Sequence, residues 1–220
     1  MRTIQAVQIV CLVGGCALAS FGVEISGHIR VIGAREKTPS TVIVYAEALD
    51  DHTPVKAGHY QMVQRNKTFL PHVLAVPAGS TVSFANADQI FHNVFSLAPP
   101  PFDLGLYRAG SAKTLVFTEP STYRVFCNIH PQMKALLLVL PTSWIVEADS
   151  QRTYQMDLPP GHYRLTAWSE QSSPVDLPIA VESGRLTVPE VTLDESKSVE
   201  APHKNKYGRN YPPNYEALRH

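Results

Sequence analysis

Cys127, His130 and Met133 stand as Cys-x2-His-x2-Met, three soft or borderline metal ligands within seven residues. With 9 His and 4 Met in 220 residues, composition alone puts both at those offsets from a given Cys with a chance of about 0.0007. Thiolate, imidazole and a more distant thioether are donors of a copper site used for electron transfer, which takes two histidines and one cysteine in a trigonal plane and a weak axial methionine. One histidine is missing from this loop. A single turn cannot surround a metal, so the second histidine is expected on a strand beside the cysteine strand, some tens of residues earlier. The run Phe91-His92-Asn93-Val94-Phe95 supplies it. An unpaired imidazole among apolar residues is costly to bury, and a ligand role removes that cost.

The elements that must hold these residues read as strands. Thr41–Tyr45, Thr81–Phe84, Lys113–Phe117, Thr122–Phe126, His162–Trp168 and Arg185–Val188 are rich in β-branched and aromatic residues and alternate with period two. Turn chemistry separates them at Pro77–Ser80, Glu119–Ser121, Pro159–Gly161 and Glu182–Gly184. No stretch carries apolar residues at helical spacing, so the class is all-β sandwich, in two modules. Charge divides the chain further. Residues 58–141 carry six basic against three acidic residues, while 20–57 and 142–196 together carry seven against fourteen. A sign change at both borders predicts that the middle is its own unit, set inside a second one. From 197 to 220, prolines, asparagines and tyrosines scatter among five basic and two acidic residues without alternation. That stretch reads as a flexible tail, with docking of its tyrosines on a domain edge or a partner as the alternative.

Nineteen Lys+Arg against nineteen Asp+Glu give no net charge, and so no basic footprint for nucleic acid. The one long apolar run, at the N-terminus, is interrupted by Gln5, Gln8 and paired glycines and does not read as a spanning helix. It reads as a signal peptide over 1–19: Arg2, an apolar stretch from Ile4 to Cys16, and the small-x-small Ala17-Leu18-Ala19 before the cut. A lipoprotein signal, with Val13-Gly14-Gly15 before a lipidated Cys16, is the alternative. Cleavage after Ala19 leaves Cys127 as the lone thiol of an exported chain, which calls for a partner, deep burial or a metal.

Phe84-Ala-Asn86-Ala-Asp88, then His92-Asn93-Val94, then Cys127-x2-His130-x2-Met133 resemble, in order, the cupredoxins, the plastocyanin-like blue copper proteins. The short gap between His130 and Met133 is similar to the amicyanin loop. The resemblance implies a Greek-key β-sandwich over 58–141. It implies one type 1 copper per chain, with His92, Cys127, His130 and Met133 as ligands, and Asn93 as the residue whose backbone N–H donates to the Cys127 sulfur. A redox protein would serve as electron donor or acceptor, and the location would be periplasmic. The insertion Ala98–Tyr107 departs from the pattern and alters the docking surface rather than the ligand set. The outer pieces, 20–57 and 142–196, resemble the two halves of a transthyretin-like, carboxypeptidase-regulatory-type β-sandwich, through Gly27–Val31, Thr41–Tyr45 and Pro159–Trp168. The cupredoxin unit is expected to be inserted in it or packed with it. Both modules in one exported chain resemble the methylamine-utilisation-type periplasmic proteins, a label that establishes no substrate.

The function expected is one-electron carriage, not catalysis. Multicopper enzymes need further histidine-rich sites, and no His-x-His pair occurs in this sequence. Carriage of copper itself fits poorly with three methionines outside the signal, Met62, Met133 and Met156. A binding, adhesion or copper-sensing module, in which the outer sandwich recognises a partner, is the alternative. Pro99-Pro100-Pro101-Phe102 with Pro131 reads either as an apolar collar beside His130 or as loop stiffening. Trp144, Trp168 and Tyr163 read as sandwich core.

Overall fold

A computed structural model describes residues 22–34, 39–50, 54–197 and 203–211. The proposed signal segment lies outside the described residues. The chain is all-β. It opens with β1 (Val23–Ile32) and β2 (Val42–Ala48). The middle run is β3 (His59–Arg65), β4 (Thr68–Leu70), β5 (Val73–Pro77), β6 (Ser80–Asn86), β7 (His92–Ser96), β8 (Phe102–Tyr107), β9 (Ala112–Phe117), β10 (Ser121–Cys127) and β11 (His130–Leu140). It closes with β12 (Trp144–Glu147), β13 (Thr153–Leu158), β14 (Gly161–Ser169), β15 (Val175–Val181), β16 (Leu186–Thr187) and β17 (Val191–Asp194). No helix among the described residues is long and apolar enough to cross a membrane.

Pairing separates these strands into two sets. β3 to β11 hydrogen-bond only among themselves, in the sheets β5-β11-β10-β7-β8 and β4-β3-β6-β9. The first two strands pair only with strands after residue 142: β1 with β13, β16 and β17, and β2 with β12 and β14. Each set encloses its own core. One holds Ile25, Ile29, Val44, Leu158, Leu165 and Leu193; the other holds Met62, Phe69, Phe84, Val125, Leu137 and the site residues Cys127 and Met133.

A third cluster joins the two sandwiches, and strict alternation builds it. Along β11, Ala135, Leu137 and Val139 face the middle core, while Leu136, Leu138 and Leu140 face the joint. Along β2, Val42, Val44 and Ala46 point into the outer core, while Ile43 and Tyr45 point into the joint. Burial on both faces is why Ala135–Leu140 is an unbroken apolar run, whereas strands with one wet face alternate. At the rim of the joint, His72 Nε2 and Glu170 Oε2 lie 2.7 Å apart, tying the turn before β5 to the turn after β14. Trp168 lies against the joint, and Trp144 meets Tyr163 edge-on in the outer core.

Candidate metal centre

The cysteine and one histidine are neighbours because a hairpin makes them so. β10 ends at Cys127, residues 128 and 129 turn, and β11 begins at His130, with Cys127 and His130 opposite each other. The register shifts between Phe126 and Cys127, an irregularity that re-aims the last side chain of the strand. β7 lies beside β10, pairing Phe95 with Phe126, and its first residue is His92. A strand neighbouring the cysteine strand thus delivers the second imidazole to the same end of the sandwich.

There the three donors converge. Sγ of Cys127 lies 3.8 Å from Nδ1 of His92 and 3.7 Å from Nδ1 of His130, and the two Nδ1 atoms are 3.1 Å apart. A metal bound at about 2.0 Å to nitrogen and about 2.3 Å to sulfur, with an angle of about 120° between them, spreads nitrogen and sulfur about 3.7 Å apart. It sets the nitrogens about 3.1 Å apart if the angle between them closes to about 100°. The donor set fits such an ion. Cys127 and His92 are fully buried and His130 is half-buried. Met133 is fully buried in the same core as Cys127, three residues along β11 from His130. The backbone N–H of Asn93 donates to Sγ of Cys127 at 3.4 Å. Its side chain spans the site's edge, donating to Asp103 at 2.6 Å and accepting from the N–H of Asn128 at 3.3 Å.

Reasoning from sequence missed what holds His92. Oδ2 of Asp88, four residues earlier, lies 2.7 Å from Nε2 of His92. The carboxylate is itself held by the N–H groups of Asn66 at 2.6 Å and Lys67 at 2.9 Å. Those two residues form the turn of the β3–β4 hairpin, both left-handed with φ of 55° and 53°, as a two-residue primed turn requires. A proton fixed on Nε2 leaves the Nδ1 lone pair facing the thiol, the arrangement a ligand imidazole needs. Burial lowers the pKa of His92 and outweighs the opposing pull of Asp88, favouring the neutral ring. For Asp88 burial acts upward, but the bonds from Lys67, His92 and Asn66 together hold the carboxyl below its ordinary value. The signal was present in the sequence as an acid four residues before a candidate ligand, but it stood in a stretch that reads as turn.

Two choices that the sequence left open narrow. Pro99 is not part of a collar for His130, because its carbonyl accepts from Ser121, at the opposite end of β10 from Cys127, about 20 Å of extended chain away, which leaves it the loop-stiffening reading. Phe102 packs against Phe117 and Tyr123 instead. The second concerns the tail, where the docked alternative fits residues 203–211: they lie against the ligand loop rather than in solvent, through contacts to Phe126, Cys127, Asn128 and Pro131. Composition suggested solvation because this packing uses a few single polar groups and one ring, without a repeating apolar face.

No family model matches the chain. Among curated proteins, amicyanin-alpha of Methylorubrum extorquens is 26% identical over 104 residues, covering 46% of this chain and 87% of that protein. Among solved structures, a purple cupredoxin from Nitrosopumilus maritimus is 25% identical with a TM-score of 0.34, covering 36% of this chain and 98% of its own. The Cu(I) form of an amicyanin mutant is 25% identical with a TM-score of 0.36, covering 44% and 99%. A Cu-containing nitrite reductase from Thermus scotoductus is 25% identical with a TM-score of 0.35, covering 43% of this chain and 25% of that one. The likeness to cupredoxins read from the ligand motif is borne out by the amicyanin relative.

Proposed function

We propose that this chain is an exported, periplasmic type 1 copper protein that carries single electrons between redox proteins. The observation that carries the reading is the convergence of two Nδ1 atoms and one Sγ at 3.1 to 3.8 Å. Cys127, His92 and His130 would hold the ion, with Met133 as its weaker fourth ligand. Bound copper would supply one-electron chemistry between Cu(II) and Cu(I). The protein's part is to keep the donors still. Cys127 closes a hairpin, His92 is braced by Asp88, and the Asn93 N–H stabilises the thiolate. A donor set that need not move between oxidation states loses little energy to rearrangement. We assign 58–141 to the copper-binding unit, 20–57 and 142–196 to a transthyretin-like sandwich around it, and 1–19 to the signal. The amicyanin relative supports a carrier rather than an enzyme. Among the described residues the single group of His, Cys, Asp and Glu side chains with metal-binding geometry is this one.

A visible spectrum of the Cu(II)-loaded protein with copper stoichiometry tests the reading. The expected result is an intense thiolate band near about 600 nm at one copper per chain, abolished by Cys127→Ser. Folded, copper-exposed protein without that band would overturn it. A second reading makes the outer sandwich a partner-binding module. It is favoured by a cavity of about 620 Å³ lined by Glu47, Lys56, Trp144 and Pro159. Under it, partner binding would survive Cys127→Ser.

A further inference from the structure

Residues 203–211 form a strap across the ligand loop, anchored on both of its sides. The His203 ring stacks on Phe126, the residue before Cys127, with centroids 4.1 Å apart and 13° between planes. Its Nε2 bonds the carbonyl of Pro131, the residue after His130. The N–H of Lys206 donates to Oδ1 of Asn128, within the loop, at 3.1 Å. Its Nζ meets Asp103 at 2.8 Å, and the other oxygen of that carboxylate accepts from Asn93. The Tyr211 hydroxyl donates to the carbonyl of Cys127 at 3.4 Å, and its ring meets His203 edge-on. The strap also has its own turn, in which Oδ1 of Asn205 accepts from the N–H groups of Tyr207 and Arg209.

We propose that this strap is the outer wall of the metal centre and makes its partner-facing end basic, so that the redox partner docking here presents an acidic face. The inference rests on the electron-carrier reading. Lys204 and Arg209 are exposed on the strap, and among the described residues neither has a carboxylate partner. Exposed Lys67 adds a charge at the hairpin that braces Asp88. The acids at this end are already engaged: Asp88 by Asn66, Lys67 and His92, and Asp103 by Asn93, Gly105 and Lys206. Lys67, Lys204, Lys206 and Arg209 thus stand against Asp88 and Asp103 alone, and what faces outward is a net positive charge. Beside it, Ile90 and Phe91, the residues before His92, expose apolar surface. A charged rim around an apolar contact is how interfaces steer a partner and then exclude water.

The test compares the native chain with the double variant Lys204→Glu, Arg209→Glu in two assays. In the metal-free protein, titration with a hexaglutamate peptide is followed by amide NMR. Shifts are expected at 203–211 and Asn128, with binding weakened about tenfold in the variant. In the reduced copper-loaded protein, hexacyanoferrate(III) takes one electron and becomes hexacyanoferrate(II) as Cu(I) becomes Cu(II), with no bond or proton exchanged. At low ionic strength that rate should fall about tenfold in the variant, while the rate with cationic tris(phenanthroline)cobalt(III) should not fall. Unchanged peptide shifts and an unchanged ratio of the two rates would overturn the proposal. A chain that lacks the absorption band fails the copper reading alone, and the titration of the metal-free protein then decides the strap.

Discussion

Asp88 is the residue on which the brace of His92 stands, and graded replacement measures that brace. Asp88→Leu keeps the branched shape in a somewhat larger side chain but accepts nothing. The Asn66 and Lys67 N–H groups lie in an exposed turn and turn to water, so little of the cost falls there. His92 is fully buried, and its Nε2–H has no such replacement. In the metal-free variant the ring can move its proton to Nδ1, where His130 Nδ1 stands 3.1 Å away as an acceptor. Metal binding must then return the proton to Nε2 and leave it buried without a partner, at a cost of about 1–3 kcal/mol. At about 1.4 kcal/mol per tenfold, affinity should drop by about five- to 150-fold, in line with the roughly 10–100-fold usual for such supports.

Asp88→Asn is milder. One oxygen at the position of Oδ2 can still accept from His92 and Lys67, so the loss is confined to the charge and to the Asn66 bond, about tenfold or less. Because an anion beside the imidazole favours Cu(II) over Cu(I), both variants should also raise the reduction potential, Leu more than Asn. Competition titrations against a Cu(I) chelator give the affinities, and nitrogen NMR of His92 in the metal-free protein reports the tautomer. An Asp88→Leu protein that binds copper as tightly as the native chain, with its proton still on Nε2, would refute the reasoning. So would equal losses for Asn and Leu.

Two further predictions concern the joint between the sandwiches. His72 is held above and Glu170 below its ordinary value, chiefly by the bond each makes to the other. The His72 contribution is complete below its unfolded value of 6.5 and fades as pH rises through the folded one. The Glu170 contribution is complete above its unfolded value of 4.5 and fades as pH falls through the folded one. Between these limits the pair, partly open to solvent, contributes about 0.5–1 kcal/mol. Glu170→Gln should therefore lower Tm more near pH 5.5, where His72 is charged, than near pH 9, where only Lys134 and Arg124 remain as cations beside the carboxylate; an equal loss at both, followed by circular dichroism, would show that the His72 charge is not the cause. Leu138→Ala opens a cavity in the joint, where Leu138 is 1% exposed, and should cost about 2–5 kcal/mol in urea unfolding. A loss below about 1 kcal/mol would mean that the sandwiches do not pack on this leucine.

What could be read in the sequence follows from how local each signal is. Strands with one wet face alternate, so β10 and β14 were visible as written. The ligand motif was visible because a hairpin turn places Cys127 opposite His130 and three rare residue types fall in one window. Asp88 falls in the Phe84-Ala-Asn86-Ala-Asp88 motif, but its role depends on the β3–β4 turn, which sequence separation hides. The proline cluster was left between a collar and loop stiffening for the same reason, since composition does not say which end of a strand a turn occupies. The strap could be read only as an alternative, docking of the tail's tyrosines, because a stacked imidazole and a few backbone acceptors leave no periodicity.

β11 binds these observations together. It begins with His130, carries Met133 into the middle core, and ends in a stretch clamped between the two sandwiches. A slip of one residue along β10 or β5 would exchange Leu137 with Leu138 across the sheet and turn Met133 out of the core, because side chains alternate with period two. The middle core alone constrains one face of the strand. The joint, through Leu136, Leu138 and Leu140 against Ile43 and its partly buried neighbours Tyr45 and Trp168, constrains the other. The outer sandwich therefore contributes to the metal centre without touching it, by penalising every register of β11 except the one that sets His130 opposite Cys127.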